Sequence, residues 1–263
     1  MSSRCAEKPE FRVWISRSAA PAALRGTTYS RRVPEDAELA LLRDAWLTAQ
    51  DGETGTRYAE ALGSAGDVEA ALAVCREVED LGYFAGWYTE AWLEHDRGDT
   101  VRAIALMREV AALLDDDEDR RYPLAVAAHW RWDEDGDLTA EADLRAGLEA
   151  YPTAAADLAH LLMATDRREE GVRVLADGVK AGWVECMLPL ANILSEGGEK
   201  AAAEDLYRRA YERGDAYSAW NLAILLWETD RGTEAREWVW KAAEGGDDLA
   251  IAYLADVDPQ DAE

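Results

Sequence analysis

The chain has 263 residues, of which 49% are hydrophobic, and it carries a formal net charge of −26 at pH 7. A surface this negative repels phosphate backbones, which argues against nucleic-acid binding. The sequence contains no run of 18 or more apolar residues, so no membrane span is predicted. The three cysteines are odd in number and far apart, without metal-binding or redox spacing, which predicts reduced thiols in a cytoplasm.

The first residues differ from the rest of the chain in charge. Residues 1–32 hold seven Lys or Arg against two Glu, a balance of +5, which leaves about −31 on residues 33–263. This composition predicts a basic flexible arm over residues 1–33 and a folded body over residues 34–263. Whether the arm lies across the acidic body stays open. Arginine outnumbers lysine and alanine is abundant, which is typical of a GC-rich bacterial genome.

The body is predicted to be helical throughout. Pro34, followed by Glu35 and Asp36, begins the first helix, since Pro fits the first turn and acids favour the positive helix end. Gly or Asp then marks turn after turn between segments with helical apolar spacing. The predicted helix pairs cover 54–82, 83–117, 118–152, 153–183, 184–214 and 215–246, and a short last helix covers 248–255.

A period of 32 residues runs through these segments. Residues 158–162, 190–194 and 222–226 superimpose at this offset, as Leu-Ala-His-Leu-Leu, Leu-Ala-Asn-Ile-Leu and Leu-Ala-Ile-Leu-Leu. A fixed period of this length predicts a stacked repeat array, in which each unit buries its apolar face only against its neighbours. The period slips once, by about six residues around the acidic run 115–119. We expect a solvated loop and helix start there; a docking patch for a basic partner or a cation is the alternative.

The last complete pair resembles a known family. Residues 219–226 and the ending Trp-x-x-Lys-Ala-Ala-Glu-x-Gly-Asp at residues 238–247 are similar to the tetratricopeptide family and its Sel-like subgroup. The resemblance covers roughly residues 54–255. It implies an all-α, right-handed α-solenoid of about six antiparallel helix pairs, with an extra N-terminal helix and a C-terminal capping helix. Glu90 and Glu94 stand where the family usually has apolar residues, which leaves the register of the second pair open.

The resemblance also assigns a role to small residues at the period. They allow the two helices of a pair to approach each other. On the first helices they are Ala59, Ala91, Ala128, Ala159, Ala191 and Ala223, and on the second helices Ala71, Ala103, Ala140, Gly171, Ala203 and Ala235.

In proteins of this family the first helix of each pair lines a concave face along which ligands lie. Aromatic anchors ringed by carboxylates suit a partner protein or peptide with basic and apolar side chains. We therefore expect a cytoplasmic protein- or peptide-binding adaptor. Trp87, Trp183, Trp238 and Trp240 are expected to pack between helices instead. The residues expected in the binding groove are Tyr88, Trp92, His95, His129, Trp132, His160, Asn192, Trp220, Asn221 and Trp227.

Two other functions stay open at this point. One is an enzyme or metal-binding protein built around His95, His129 and His160, because all three histidines fall on first helices of successive pairs. The other is an acidic mimic of nucleic acid. No phosphate-binding loop, nucleophile elbow or zinc-protease motif occurs, so no catalytic residue, metal or cofactor is predicted. Self-association into a homo-oligomer through the terminal helices also stays open.

Overall fold

The structure is a computed structural model that describes residues 33–256. These residues form fourteen α-helices and, where the structure describes the chain, no β-strand. They divide into two compact units, unit 1 up to Tyr151 and unit 2 from Pro152. The predicted basic arm lies, up to residue 32, outside the described residues. None of the helices between residues 33 and 256 combines the length and the apolar character that a membrane span requires.

Unit 1 contains the first seven helices. Each helix packs against the next one along the chain. A 3-10 turn at Leu138–Ala140 precedes the last helix of the unit. The helices are α1 (Asp36–Ala49), α2 (Gly52–Ser64), α3 (Val68–Asp80), α4 (Phe84–Asp96), α5 (Thr100–Leu113), α6 (Asp117–Asp135) and α7 (Glu141–Gly147).

Unit 2 contains the other seven, with a 3-10 turn at Val184–Cys186 before its third helix. The six predicted pairs are therefore confirmed as α2–α3, α4–α5, α6–α7, α8–α9, α10–α11 and α12–α13, and the additional helices at either end as α1 and α14. The helices of unit 2 are α8 (Thr153–Ala164), α9 (Arg168–Ala181), α10 (Met187–Glu196), α11 (Lys200–Glu212), α12 (Tyr217–Glu228), α13 (Gly232–Glu244) and α14 (Asp248–Asp256).

The small residues at the 32-residue period lie where the two helices of each pair touch. All eleven alanines of the two predicted rows have no exposed surface, and Gly171 is buried with them. At Gly171 the helices are so close that an added Cβ atom would lie 2.8 Å from the carbonyl oxygen of Ala159. The close approach of the paired helices thus depends on small side chains, as the sequence predicts.

The extra residues at 115–119 lengthen a helix. α6 has 19 residues, whereas α2 and α4 have 13 each. Asp116 caps α6, because its carboxylate accepts a hydrogen bond of 2.6 Å from the backbone N–H of Glu118. Three further acids occupy the first turn, where the positive end of the helix dipole favours negative charge. The acidic run is therefore the helix start that was expected.

The second pair keeps the register of the others and buries its two unexpected acids. Glu90 is 9% exposed and Glu94 is 5% exposed. Each has an arginine partner: Arg102 Nη2 lies 3.5 Å from Glu90 Oε1, and Arg97 forms an ion pair with Glu94. Positive charge on neighbouring side chains offsets part of the cost of burying these carboxylates.

Candidate functional site

In unit 1 the predicted groove residues of α4 and α6 form a packed aromatic cluster. His95 stacks on Trp130, with ring centroids 4.6 Å apart and an angle of 15° between the planes. Trp92 meets the same indole edge-on at 4.9 Å. Trp130 has no exposed surface and forms the centre of the cluster. Trp92 and His95, which are both only partly buried, therefore form its outer layer.

A row of tyrosines continues this cluster. Tyr122 meets Tyr88 edge-on at 5.5 Å and Tyr151 edge-on at 5.9 Å. His129 lies 5.7 Å from Tyr151. Tyr88 is only 8% exposed and Tyr151 only 3% exposed, so these two rings belong to the core.

The polar atoms of this cluster face one another inside the unit. The Trp92 indole nitrogen and the Tyr122 hydroxyl are both buried, and neither makes a hydrogen bond of standard geometry with a described residue. Burial raises the pKa of Tyr122 well above its usual value, and the nearby Trp92 N–H opposes that shift. The phenol therefore stays protonated over the physiological range.

The histidines of unit 1 are ring partners in this packing. Burial lowers the pKa of His95, and the nearby His129 lowers it further, while Asp96 acts in the opposite direction. His95 is accordingly neutral at pH 7. Between residues 33 and 256, no three His, Cys, Asp or Glu side chains are arranged to hold a metal ion. The remaining predicted groove residue of unit 1, Trp132 on α6, is partly buried.

Unit 2 offers an open cavity between first helices. The cavity has a volume of about 270 Å³ and lies between α10 and α12, above Tyr207 of α11. It includes both predicted asparagines. The lining residues are Asn192, Ser195, Glu196, Tyr207, Asn221, Ile224, Leu225 and Glu228.

Hydrogen bonds fix the polar side chains of the cavity. The Tyr207 hydroxyl donates to Asn192 Oδ1 at 2.8 Å, which leaves the Asn192 amide group to face a ligand. Burial raises the pKa of Tyr207 to about 12, so the hydroxyl remains a donor. Asn221 Nδ2 donates to the backbone oxygen of Tyr217 at 3.1 Å, and its side-chain oxygen is the atom that can accept from a ligand.

The carboxylates at the cavity rim have basic partners within unit 2. Glu228 forms an ion pair with Lys200, and Glu196 Oε2 lies 3.8 Å from Arg168 Nη2. Both glutamate side chains are more than half exposed. A cationic ligand would have to compete with these internal partners in water, so the rim charges add little to its affinity.

Beside the cavity lies an aromatic patch, which consists of Trp220 and Trp227 of α12 and Tyr253 of α14. Tyr253 is 5.2 Å from Trp227 and 6.1 Å from Trp220, and the two indoles are 6.2 Å apart at 83°. Tyr253 is 37% exposed, and both tryptophans are partly exposed. Ile224, also 37% exposed, links the patch to the cavity on the same helix.

The ten predicted residues are thus distributed over two different environments. Unit 1 draws Tyr88, Trp92, His95 and His129 into ring packing. Unit 2 brings Asn192, Asn221, Trp220 and Trp227 to one surface, while His160 is exposed on α8.

Three residues of these sites were missed from the sequence. Tyr253 lies one period after Asn221, so the repeat itself could have identified it. Tyr207 belongs to a second helix, whereas only first helices were considered as groove lining. Nothing in the sequence marks Trp130 as buried. It lies between the predicted groove residues His129 and Trp132, where a tryptophan is as compatible with the surface as with the core.

Comparison with known proteins gives one match to a family over a short segment and several likenesses in fold. Residues 216–239, which cover α12 and the first half of α13, match the tetratricopeptide repeat family. This segment carries both tryptophans of the aromatic patch and half of the cavity lining. No curated protein matches the chain.

Solved structures of helical repeat proteins resemble the chain in fold. The match to the Cut9–Hcn1 hetero-tetramer of the APC/C covers 84% of this chain and 46% of the matched chain, with a TM-score of 0.61 and 12% sequence identity. The protective antigen c5321 of uropathogenic Escherichia coli, which displays an SLR fold, matches 85% and 53%, with a TM-score of 0.57 and 15% identity. PilF of Pseudomonas aeruginosa matches 83% and 99%, with a TM-score of 0.57 and 13% identity. The chain spans about half the length of the first two.

Proposed function

Because the chain has the helical-repeat fold of the tetratricopeptide and Sel-like proteins, we propose that it is a protein- or peptide-binding adaptor whose principal site lies in unit 2. Repeat scaffolds of this kind generally mediate protein–protein interaction. The observation that carries the proposal is the partly exposed aromatic patch of Trp220, Trp227 and Tyr253 next to the cavity with Asn192 and Asn221.

The two parts of this surface suit different parts of a peptide. The Asn192 amide group can donate a hydrogen bond to the backbone of a peptide that lies along α10 and α12, and the Asn221 side-chain oxygen can accept one from it. The aromatic patch takes a side chain of the same peptide. Full burial of a Leu, Ile or Phe side chain contributes about 1.5–3 kcal/mol, and a Lys or Arg over the indole faces adds about 0.5–2 kcal/mol through cation–π attraction.

The partner therefore carries apolar and basic side chains, and apolar burial dominates its affinity. The rim carboxylates already have Lys200 and Arg168 as partners, so they contribute little to the choice between positive and negative ligands. Affinity for such a partner depends weakly on salt, whereas an acidic mimic of nucleic acid would bind with a steep salt dependence. The free, buried thiols of Cys75 and Cys186 accord with a cytoplasmic location.

The experiment first selects peptide ligands and then tests the two tryptophans of the aromatic patch. A random peptide library displayed on phage is selected on the full chain, and the affinity of the recovered peptides is measured by isothermal titration calorimetry. The expected peptides combine a basic residue with aliphatic or aromatic neighbours. Trp220→Ala and Trp227→Ala should each weaken binding at least about tenfold, which corresponds to 1.4 kcal/mol.

Trp240→Ala is the matched control, because Trp240 is 55% exposed on α13, a second helix. It should leave the affinity within about twofold. Circular dichroism of each variant shows whether unit 2 remains folded. Equal losses for Trp240→Ala and Trp220→Ala, or peptides whose binding ignores all three variants, would reject this site.

A further inference from the structure

The contact between α3 and α4 joins the first two complete helix pairs of unit 1, and it is built around carboxyl groups. Gly86 of α4 lies directly against α3, since a Cβ atom there would stand 2.7 Å from the carbonyl oxygen of Cys75 and 2.7 Å from Cγ of Glu79. Glu90 follows Gly86 by one turn of α4, so it lies on the face of α4 that packs against Glu79, and the two carboxyl groups are electrostatic neighbours. With Glu90 only 9% exposed, this pair of acids is part of the packed joint.

A third acid, Glu60 of α2, belongs to the same region, because it acts electrostatically on the Cys75 thiol together with Glu79 and Glu90. Glu60 and Glu79 each have a buried Oε1 atom that accepts no hydrogen bond from any residue in the described part of the chain. A carboxylate oxygen that is removed from water and has no donor favours the neutral acid over the charged form. Burial accordingly raises the pKa of Glu60 to about 7 and that of Glu79 to about 8.

The arginines around the cluster offset only part of this effect. Arg57 on α2 lowers the pKa of Glu60, and Arg76 on α3 lowers that of Glu79, but in both cases burial is the larger influence.

From α5, Arg102 also lowers the pKa of Glu79, and its charge is divided between two carboxylates. Its Nη2 atom lies 3.5 Å from Glu90 Oε1, and its Nη1 atom lies 3.6 Å from Glu109 Oε1. A hydrogen bond between the carboxyl groups of Glu79 and Glu90 requires a proton on one of them, because two carboxylates have no donor to offer each other.

We propose that the α3–α4 joint is a proton-dependent contact, in which a proton shared by Glu79 and Glu90 holds the first two helix pairs of unit 1 together and its loss loosens them. The folded chain binds more protons at this cluster than the unfolded chain does. Its stability therefore falls as the pH rises from about 4.5, the ordinary value of a glutamate, through about 8. This device is independent of the peptide site proposed in unit 2.

Hydrogen exchange of the full chain, followed by mass spectrometry at pH 6 and pH 9 and corrected for intrinsic chemical rates, tests the joint. In the wild-type chain, the opening equilibrium of α3 and α4 should be at least about tenfold larger at pH 9 than at pH 6. Each unit of pH between the ordinary pKa of a glutamate and its raised pKa in the fold changes this equilibrium by up to tenfold. Peptides from α12 serve as the internal reference and should not change.

Glu79→Gln should remove most of this pH dependence, because the amide donates a hydrogen bond to Glu90 at every pH. Asp80→Asn is the matched control: it removes the same charge from the neighbouring, exposed position of α3 and should keep the wild-type dependence. If hydrogen exchange of α3 and α4 in the wild-type chain does not depend on pH after correction, the proposal is overturned, whether or not the variants fold. Equal dependence in Glu79→Gln and Asp80→Asn, or an equal change in α12, overturns it as well.

Discussion

Replacement of Gly171 by alanine probes how much the close approach of paired helices contributes to stability. The added Cβ atom would lie 2.8 Å from the backbone oxygen of Ala159 and 3.2 Å from Cγ of Met163. Ordinary van der Waals contact begins near 3.4 Å, so α8 and α9 must separate by roughly half an ångström. Met163 can move its flexible side chain, but the Ala159 oxygen is fixed in the backbone of α8.

The expected cost follows from two opposed contributions. Overpacking of a well-packed contact costs about 1–3 kcal/mol, and the better helix propensity of alanine recovers about 0.5–1 kcal/mol. From the middle of the two ranges, Gly171→Ala should therefore destabilise unit 2 by about 1 kcal/mol. Gly232→Ala is the control, since the nearest atom to its Cβ position is 3.9 Å away, and the same substitution should be neutral or mildly stabilising there.

The assay is urea unfolding followed by circular dichroism at 222 nm, with hydrogen exchange to locate the change in α8 and α9. A lower midpoint for Gly171→Ala alone, with faster exchange in these two helices, supports the packing argument. If Gly171→Ala unfolds at the wild-type midpoint, or if Gly232→Ala costs as much, the small residues at the period do not set the helix spacing.

Three further predictions address single positions. Asp166 has a positive φ of 61° where most other repeats have glycine, so Asp166→Ala should lower the free energy of unfolding by about 1 kcal/mol, while Asp166→Gly should not; equal effects would show that the turn is unstrained. Cys75 and Cys186 should resist a thiol reagent at pH 8 until the chain is unfolded, because both are buried and burial raises the pKa of Cys186 to about 12; rapid labelling of the folded chain would contradict this. His95 should titrate below 6.5 in proton NMR, so that it withdraws stability as the pH falls below 6.5, and a pKa at or above 6.5 would mean that its stacking on Trp130 is wrong.

Much of the fold could be predicted from the sequence because the repeat period is itself a property of the sequence. The period and the resemblance to the tetratricopeptide family together assign Ala159 and Gly171 to a helix–helix contact, and the two residues do approach closely. Even the second pair, whose acids seemed to break the pattern, keeps its register, because Arg97 and Arg102 supply the charges that Glu90 and Glu94 need.

The repeat period by itself does not give the exposure of individual aromatic side chains. Trp238 and Trp240 are two residues apart on α13, and both were expected to pack between helices. Trp238 does so: it is 6% exposed, and the Lys241 amine lies 3.9 Å from its ring centroid. Trp240 is 55% exposed, so the expectation for this residue was wrong. The repeat period gives the same helix for both residues. The helical spacing within α13 separates them, because Trp238 shares the buried face with Ala235, Val239 and Ala242, whereas Trp240 lies on the opposite side.

The carboxyl cluster of unit 1 lies outside any sequence pattern for a different reason. Glu60, Glu79 and Glu90 come from three helices at unequal spacings. The chain contains 54 acidic residues, and of these three only Glu90 stands out in the sequence, because the family usually has an apolar residue at its position. Only their burial in the structure separates them from the solvated majority.

The proposed peptide site consists of the cavity between α10 and α12 and the aromatic patch of α12 and α14. Its most direct test is two-dimensional NMR of the indole N–H groups during titration with a selected peptide, with the signals assigned by single Trp→Phe variants. The signals of Trp220 and Trp227 should shift in proportion to the bound fraction, while those of Trp130 and Trp240 should stay in place. If Trp240 or the unit 1 indoles shift and Trp220 and Trp227 do not, the peptide binds elsewhere and the claim fails.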